Sequence, residues 1–188
     1  MRQKSIVLFV CVFVLCFAAL LAQEPVAEPQ ALPIKNFLRI NSDFCTGGQP
    51  RIVRGQPSLD DLAKLKEQGV RAIINLRRPS EYDHAAEEAR AKELDLRYVN
   101  IPVDSNAPTD EQVEEFLKLM ADAANRPAFI HCASANRVGG FWMIWRVRAQ
   151  SWTLEAAEKE ADRIGLANPK TRAFARDHLA RFAQKAKD

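Results

Sequence analysis

Apolar positions fall into two rhythms along this chain. Short, mostly apolar runs alternate with longer stretches in which apolar residues recur every three or four positions. The first rhythm marks buried strands and the second marks amphipathic helices. Val70–Leu76 (VRAIINL), Leu96–Ile101 (LRYVNI) and Pro127–His131 (PAFIH) each predict a strand, and Phe37–Ile40 predicts one before them. Between them, Ser58 opens a helix, with Asp61 at the capping-box position and Gly69 as its stop. Glu81–Leu94, rich in Ala, Glu and Arg, predicts a second helix. Thr109, with Gln112 three residues on, caps a third, which carries Val113, Phe116, Leu117 and Met120 on one face. Further helices are expected from about Arg137, over Thr153–Ile164 and over Pro169–Lys185. The segment Phe44–Pro50 (FCTGGQP) reads as turn chemistry. Strands alternating with helices predict an α/β fold. Its centre is a mostly parallel sheet of four to five strands, with helices on both faces and a helical C-terminus.

The first residues follow neither rhythm. Arg2 and Lys4 precede an apolar run from Ile6 to Ala22, and polar Gln23 and Glu24 follow. This is the pattern of an export signal over residues 1–22, cleaved after Ala22. An uncleaved anchor is the alternative, because about 17 apolar residues sit at the lower limit for crossing a bilayer. Bulky Leu15 before Cys16 argues against a lipoprotein signal. The expectation is an exported protein, periplasmic or secreted, that touches a membrane only through its leader. Residues 23–35 hold three prolines and read as a linker, leaving residues 36–188 as one catalytic domain.

Charge adds little. The formal net charge of +3 falls to +1 once Arg2 and Lys4 are set aside, too weak a field to suggest a nucleic-acid partner. Oligomeric state leaves no mark in the sequence. Of four cysteines, Cys11 and Cys16 lie in the leader, so Cys45 and Cys132 remain. They are either a disulfide or resolving pair, or Cys45 is a small buried side chain.

The chemistry concentrates in one stretch, Phe129 to Gly140 (FIHCASANRVGG). An apolar strand runs straight into Cys132. The small-residue loop Ala133-Ser134-Ala135-Asn136 follows, and Arg137 begins a helix. Small residues let backbone N–H groups turn inward as a nest for an anion, and the helix N-terminus behind them adds partial positive charge. Arg137 has a planar fork that grips two oxygens of an oxyanion. The same surroundings favour thiolate over thiol at Cys132. His131 is placed to hold the loop's shape through hydrogen bonds. Arg77 and Arg78 either add positive charge at the mouth or are solvated. Phe141, Trp142 and Trp145 lie at helical spacing and read as core. On the last helix, Phe174, Leu179 and Phe182 read as the buried face and Arg172, Arg176, Arg181 and Lys185 as the solvated one.

His131-Cys132 through Arg137 resembles the signature loop of the cysteine-based, dual-specificity-type protein tyrosine phosphatases. Residues about 44–150 are similar to a small bacterial phosphatase-like family also found fused to beta-lactamase-like hydrolases. Gly48-Gln49-Pro50, Asn75-Leu76-Arg77 and Ile101-Pro102-Val103-Asp104 carry that similarity. The resemblance implies a phosphocysteine intermediate on Cys132, an oxyanion bound by Arg137 and residues 131 and 133–136, and a phosphorylated small molecule or phosphoprotein (phosphotyrosine included) as substrate. No cofactor or metal is implied. It places the general acid on a loop such as the one bearing Asp104, which otherwise reads as a turn residue.

Two departures keep other readings open. The phosphatases have five residues between Cys and Arg, and this chain has four, the spacing of many rhodaneses. The phosphatases also place Ser or Thr after the Arg, where this chain has Val138. The alternatives are a sulfurtransferase working through a Cys132 persulfide, and an inactive module that binds an anion or a partner.

Overall fold

The computed structural model describes residue 34, residues 37–41, the backbone of 44–47 with the Phe44 side chain, and residues 57–185. The expected leader, most of the linker and Gly48-Gln49-Pro50 lie outside the described residues, as does the Cys45 side chain.

Five strands form one sheet: β1 (Leu38–Arg39), β2 (Phe44–Gly47), β3 (Ala72–Asn75), β4 (Arg97–Asn100) and β5 (Ala128–His131). Their spatial order is β1-β2-β5-β3-β4. The four strands from β2 to β4 are mutually parallel, and β1 pairs antiparallel at the edge. Phe44–Gly47, expected as a turn, is thus a strand. Backbone pairing with β5 and a hairpin closed by Ile40 N–H to the Phe44 carbonyl outweigh its poor strand composition.

Six helices cover the sheet: α1 (Leu59–Glu67), α2 (His84–Glu93), α3 (Asp110–Ala121), α4 (Asn136–Gln150), α5 (Leu154–Ile164) and α6 (Pro169–Lys185). Both expected capping boxes form, Ser58 with Asp61 and Thr109 with Gln112. Each such cap is worth ~1 kcal/mol to its helix. Gly69, at φ 83°, ends the turn after α1. The second helix begins later than its composition predicts. A 3-10 turn, Pro79–Glu81, comes first, and Asp83 caps α2.

Side-chain alternation along the central strands builds two cores. Ile73 of β3 and Phe129 of β5 face α1 and α2, among Leu62, Leu65 and Ala91. Ile74 and Ile130 face α3 and α4, among Phe116, Met120 and Phe141. A fully buried side chain of this size contributes ~1.5–3 kcal/mol. α4 is buried on nearly every side from Asn136 to Arg146, so it is the spine of the second core. Gly139 and Gly140 permit this. A Cβ on Gly139 would come within 2.9 Å of the Ala161 carbonyl oxygen, and one on Gly140 within 2.6 Å of Thr171 Cγ2.

Phe141, Trp142 and Trp145 pack in this core as expected. Phe182 does not. It is exposed and lies against the Arg148 guanidinium, because α6 turns Thr171, Ala175, His178 and Leu179 inward instead.

β3 and β5 are neighbours, yet the chain leaves them toward opposite faces of the sheet, into α2 and α4. The crevice at their carboxyl ends is where α/β folds of this kind hold ligands.

Candidate active site

β5 alternates Phe129 and His131 toward one face and Ile130 toward the other, then ends at Cys132. Cys132 is a free thiol with no exposed surface. Ala133 and Ser134 continue the loop. Ala135 turns the chain into α4 with φ 60°, a left-handed conformation that costs an alanine roughly 1–2 kcal/mol. Its carbonyl already accepts from Gly139 N–H at 2.9 Å, the first bond of the helix. No side chain caps α4, and no acidic residue stands in its first turn. Its leading N–H groups therefore remain available to an anion.

Packing from behind supports the strained turn. Gly165, in the loop between α5 and α6, approaches so closely that a Cβ there would lie 3.1 Å from the Ser134 carbonyl oxygen and 3.2 Å from Ala135 Cβ. Gly165 also has φ +133°, which disfavours any side chain. Asn136 fixes the same loop. Its side-chain oxygen accepts from Ala167 N–H at 2.9 Å and Asn168 N–H at 2.7 Å. Its amide nitrogen donates to Thr171 Oγ1 at 2.9 Å, and Thr171 Oγ1 donates to the Ser105 carbonyl at 3.0 Å. The Asn136 side chain thus braces the Cys132–Arg137 loop from outside.

Arg137 is 4% exposed and held from one edge. Nη1 donates to Glu81 Oε1 at 2.8 Å and to the Val103 carbonyl at 2.9 Å, while Nη2 donates to Glu81 Oε2 at 2.7 Å. This bidentate pair uses the Nη1–Nη2 edge. The Nε–Nη2 edge remains for two oxygens of a ligand. Burial opposes the guanidinium charge, but Glu81 and the Cys132 sulfur outweigh it and raise its pKa above the ordinary value. For Glu81, burial works against ionisation. The Arg137 hydrogen bond and charge win, with Arg78 adding to them, and lower its pKa to about 2.

Two more arginines complete the charged side. Arg77 is 2% exposed, so it is not solvated. It donates to the Glu81 carbonyl at 2.6 Å and lies over the Tyr82 ring. Burial lowers its pKa; Glu81 partly offsets that, and so does the nearby Cys132. Arg78, at the surface, reaches both Glu81 Oε1 (3.1 Å) and Asp104 Oδ2 (2.8 Å). Asp104 follows Val103 directly, so the loop after β4 that binds Arg137 by its backbone also carries Asp104 beside it. Its other oxygen accepts from Asn106 N–H at 2.8 Å.

Beneath the loop, Glu87 of α2 is fully buried. It accepts from Asn75 Nδ2 at 2.6 Å and from Tyr98 Oη at 3.0 Å, and Tyr98 meets the Tyr82 hydroxyl at 2.7 Å. His131 Nε2 lies 3.1 Å from Glu87 Oε1, an ion-pair distance without hydrogen-bond alignment. Burial raises the Glu87 pKa, but His131, Tyr98 and Asn75 outweigh it, so the carboxyl stays below its ordinary value. Burial raises Tyr98 strongly and Tyr82 to about 12.

Of the residues singled out in the sequence, Cys132, the small loop, Asn136 and Arg137 form one turn between β5 and α4. Asp104 joins them through Arg78 and Glu81. His131 lies below them. Glu81 and Glu87 were not singled out. Both sit in a segment that reads as one exposed helix, and their partners are distant in the chain, so neither leaves a local mark.

Residues 29–180 match the family model described as DSP-PTPase phosphatase fused to NAD+ kinase, and the chain belongs to that family. It is 30% identical over 89 residues to beta-lactamase hydrolase-like proteins of two Xylella fastidiosa strains, covering 45% of this chain and 20% of theirs. The matched region thus spans about a fifth of those relatives' length. Among solved structures, a candidate phosphatase (DUF442) of Shewanella putrefaciens superposes with a TM-score of 0.64 at 23% identity, covering 79% of this chain and 91% of that one. TpbA of P. aeruginosa gives 0.62 at 21%, with 78% and 87% covered. The core of the S. cerevisiae PP-IP phosphatase SIW14 gives 0.61 at 20%, with 84% and 96% covered. These identities establish a common fold, that of the cysteine phosphatases.

Proposed function

We propose that this chain is a cysteine-dependent phosphomonoesterase. The observation that carries the reading is the posture of Arg137. Glu81 and the Val103 carbonyl lock its outer edge, and its inner edge is left beside Cys132 at the head of α4. A fixed two-donor edge, unpartnered helix N–H groups and a sulfur in one turn suit a tetrahedral oxyanion under attack.

The Cys132 thiolate attacks phosphorus, forming an S–P bond as the bond to the leaving oxygen breaks. Arg137 and the loop N–H groups take up charge on the equatorial oxygens. Asp104, released from Arg78 and protonated from solvent, gives that proton to the leaving oxygen. Water then attacks the phosphocysteine, Asp104 takes the water's proton, and inorganic phosphate leaves with the thiolate restored. Cys132 exposes no surface in this geometry, so the groups over the sulfur have to shift before a phosphoryl group reaches it, while Glu81 keeps Arg137 in place. The relatives support the reading. One TpbA structure is a Cys-to-Ser variant in complex with pTyr, and SIW14 is described as a PP-IP phosphatase.

The test is an assay of the reduced protein beside Cys132→Ser, on para-nitrophenyl phosphate and on thiosulfate plus cyanide. Phosphate release that the substitution abolishes is the expected result. Thiocyanate in its place would assign the four-residue loop to sulfur transfer. Ligand binding with neither product would mark a binding module.

A further inference from the structure

A groove of about 1030 Å³ opens beside the Cys132–Arg137 loop, and Glu81 is not among its lining residues. Ser134 and Asn136 of the loop line it, with Ser105, Asn106, Arg163 and Lys170. Its volume is on the scale of small-molecule sites, which run to roughly 1,000 Å³.

Most arginines among the described residues are paired; Arg172, Arg176 and Arg181, for example, all bind carboxylates. Arg163 is an exception, and Lys170 is one of several surface lysines whose charge is unanswered. Arg163 and Lys170 are exposed, and neither side chain has a hydrogen bond or ion pair among the described residues. One acid, Asp162, also lines the groove, but Arg172 Nη2 holds it at 2.6 Å. Lys170 stands in the first turn of α6, where the helix dipole repels a cation, so its position adds nothing to stability.

Both are close to the loop. Arg163 is two residues from Gly165, which packs on Ser134 and Ala135. Lys170 is two residues from Asn168, whose N–H binds Asn136. Both also line the groove that Ser134 and Asn136 of the loop border.

We infer that Arg163 and Lys170 form a second anion subsite, and that the substrate is a small phosphomonoester carrying another phosphate or carboxylate on its leaving group. This rests on the phosphatase reading for the first anion. The phosphoryl group enters the Cys132 loop, the body of the molecule passes Ser134, and the second anion meets the two cations. The bonds made and broken are those already given for the reaction.

The test compares kcat/KM for 1,4-butanediol bisphosphate with that for butyl phosphate, in the wild-type chain and in R163E/K170E. Both positions are at the surface, and an unchanged thermal midpoint confirms the fold. The wild type should prefer the bisphosphate by ~10-fold beyond its two equivalent ends, and charge reversal should bring the ratio to unity or below. No wild-type preference, or an unaltered ratio in the variant, overturns the subsite. A ratio unmoved while turnover of an acidic phosphotyrosine peptide collapses also overturns it, in favour of a protein substrate. Should the wild type hydrolyse neither ester, the phosphatase reading fails separately. Calorimetric binding of the bisphosphate to C132S then reads the groove alone: ~10-fold weaker binding on charge reversal keeps the subsite, and equal binding removes it.

Discussion

The Cys132–Arg137 loop has two unlike sides. On the side facing β3 and β4, charges are locked to one another: Arg137 to Glu81, Glu81 to Arg78, and Arg78 to Asp104. On the side facing α5 and α6, the contacts near the loop are neutral. Asn136, Thr171 and Ser105 share hydrogen bonds, and the Arg163 and Lys170 side chains have no partner among the described residues. The contrast separates two tasks. A group that stabilises a transition state gains from being fixed before the substrate arrives. A group that selects a substrate gains from leaving its charge unanswered until the substrate answers it.

The sharpest break of this contrast is on the locked side. Arg137→Lys keeps the charge but loses the two-edged fork that binds Glu81 and an oxyanion at once, so kcat should fall by about 10³-fold. Steady-state kinetics on para-nitrophenyl phosphate checks this, and a loss of only a few-fold would mean the fork is not used. Asp104→Asn comes next. It removes the proton donor we propose, so kcat should fall by about 10²-fold for an alkyl phosphate and less for an aryl phosphate with a better leaving group. Equal losses on both would return Asp104 to the status of a turn residue.

The smallest effect is on stability. Glu81→Gln replaces a charged, bidentate partner of a buried arginine with a neutral one, at a cost of about 2 kcal/mol near neutral pH. The folded Glu81 carboxyl sits at about 2, below its ordinary 4.5. A depressed carboxyl stabilises the fold above the ordinary value, and that contribution is lost as pH falls from 4.5 toward 2. Urea midpoints should therefore drop more between about pH 5 and pH 3 in the wild type than in the variant, so the two curves converge in acid.

What could be read from the sequence was what the chain encodes locally. The capping boxes at Ser58 and Thr109, the apolar runs of β3 to β5 and the turn from Cys132 to Arg137 each lie within a few residues. Glu81 illustrates the opposite case. Its segment composition reads as the start of a helix, but it sits in a 3-10 turn and pairs with a residue 56 positions away. Glu87 reads as one of several acids on a solvated helix. Only the packing of α2 over the sheet, chiefly on β4, turns it inward to His131 and Asn75. Phe44–Gly47 became a strand through backbone pairing with β5, which composition does not record. Ion pairs and sheet edges join distant parts of the chain, and a local pattern holds no trace of them.

The central claim is that Cys132 carries the phosphoryl group. A denaturing quench of the protein during turnover of para-nitrophenyl phosphate, followed by mass analysis of the peptide holding Cys132, tests it directly. Phosphocysteine at Cys132 in the wild type, absent in Cys132→Ser along with turnover, is the predicted result. Phosphate release that persists in Cys132→Ser with no phosphorylated cysteine would contradict it.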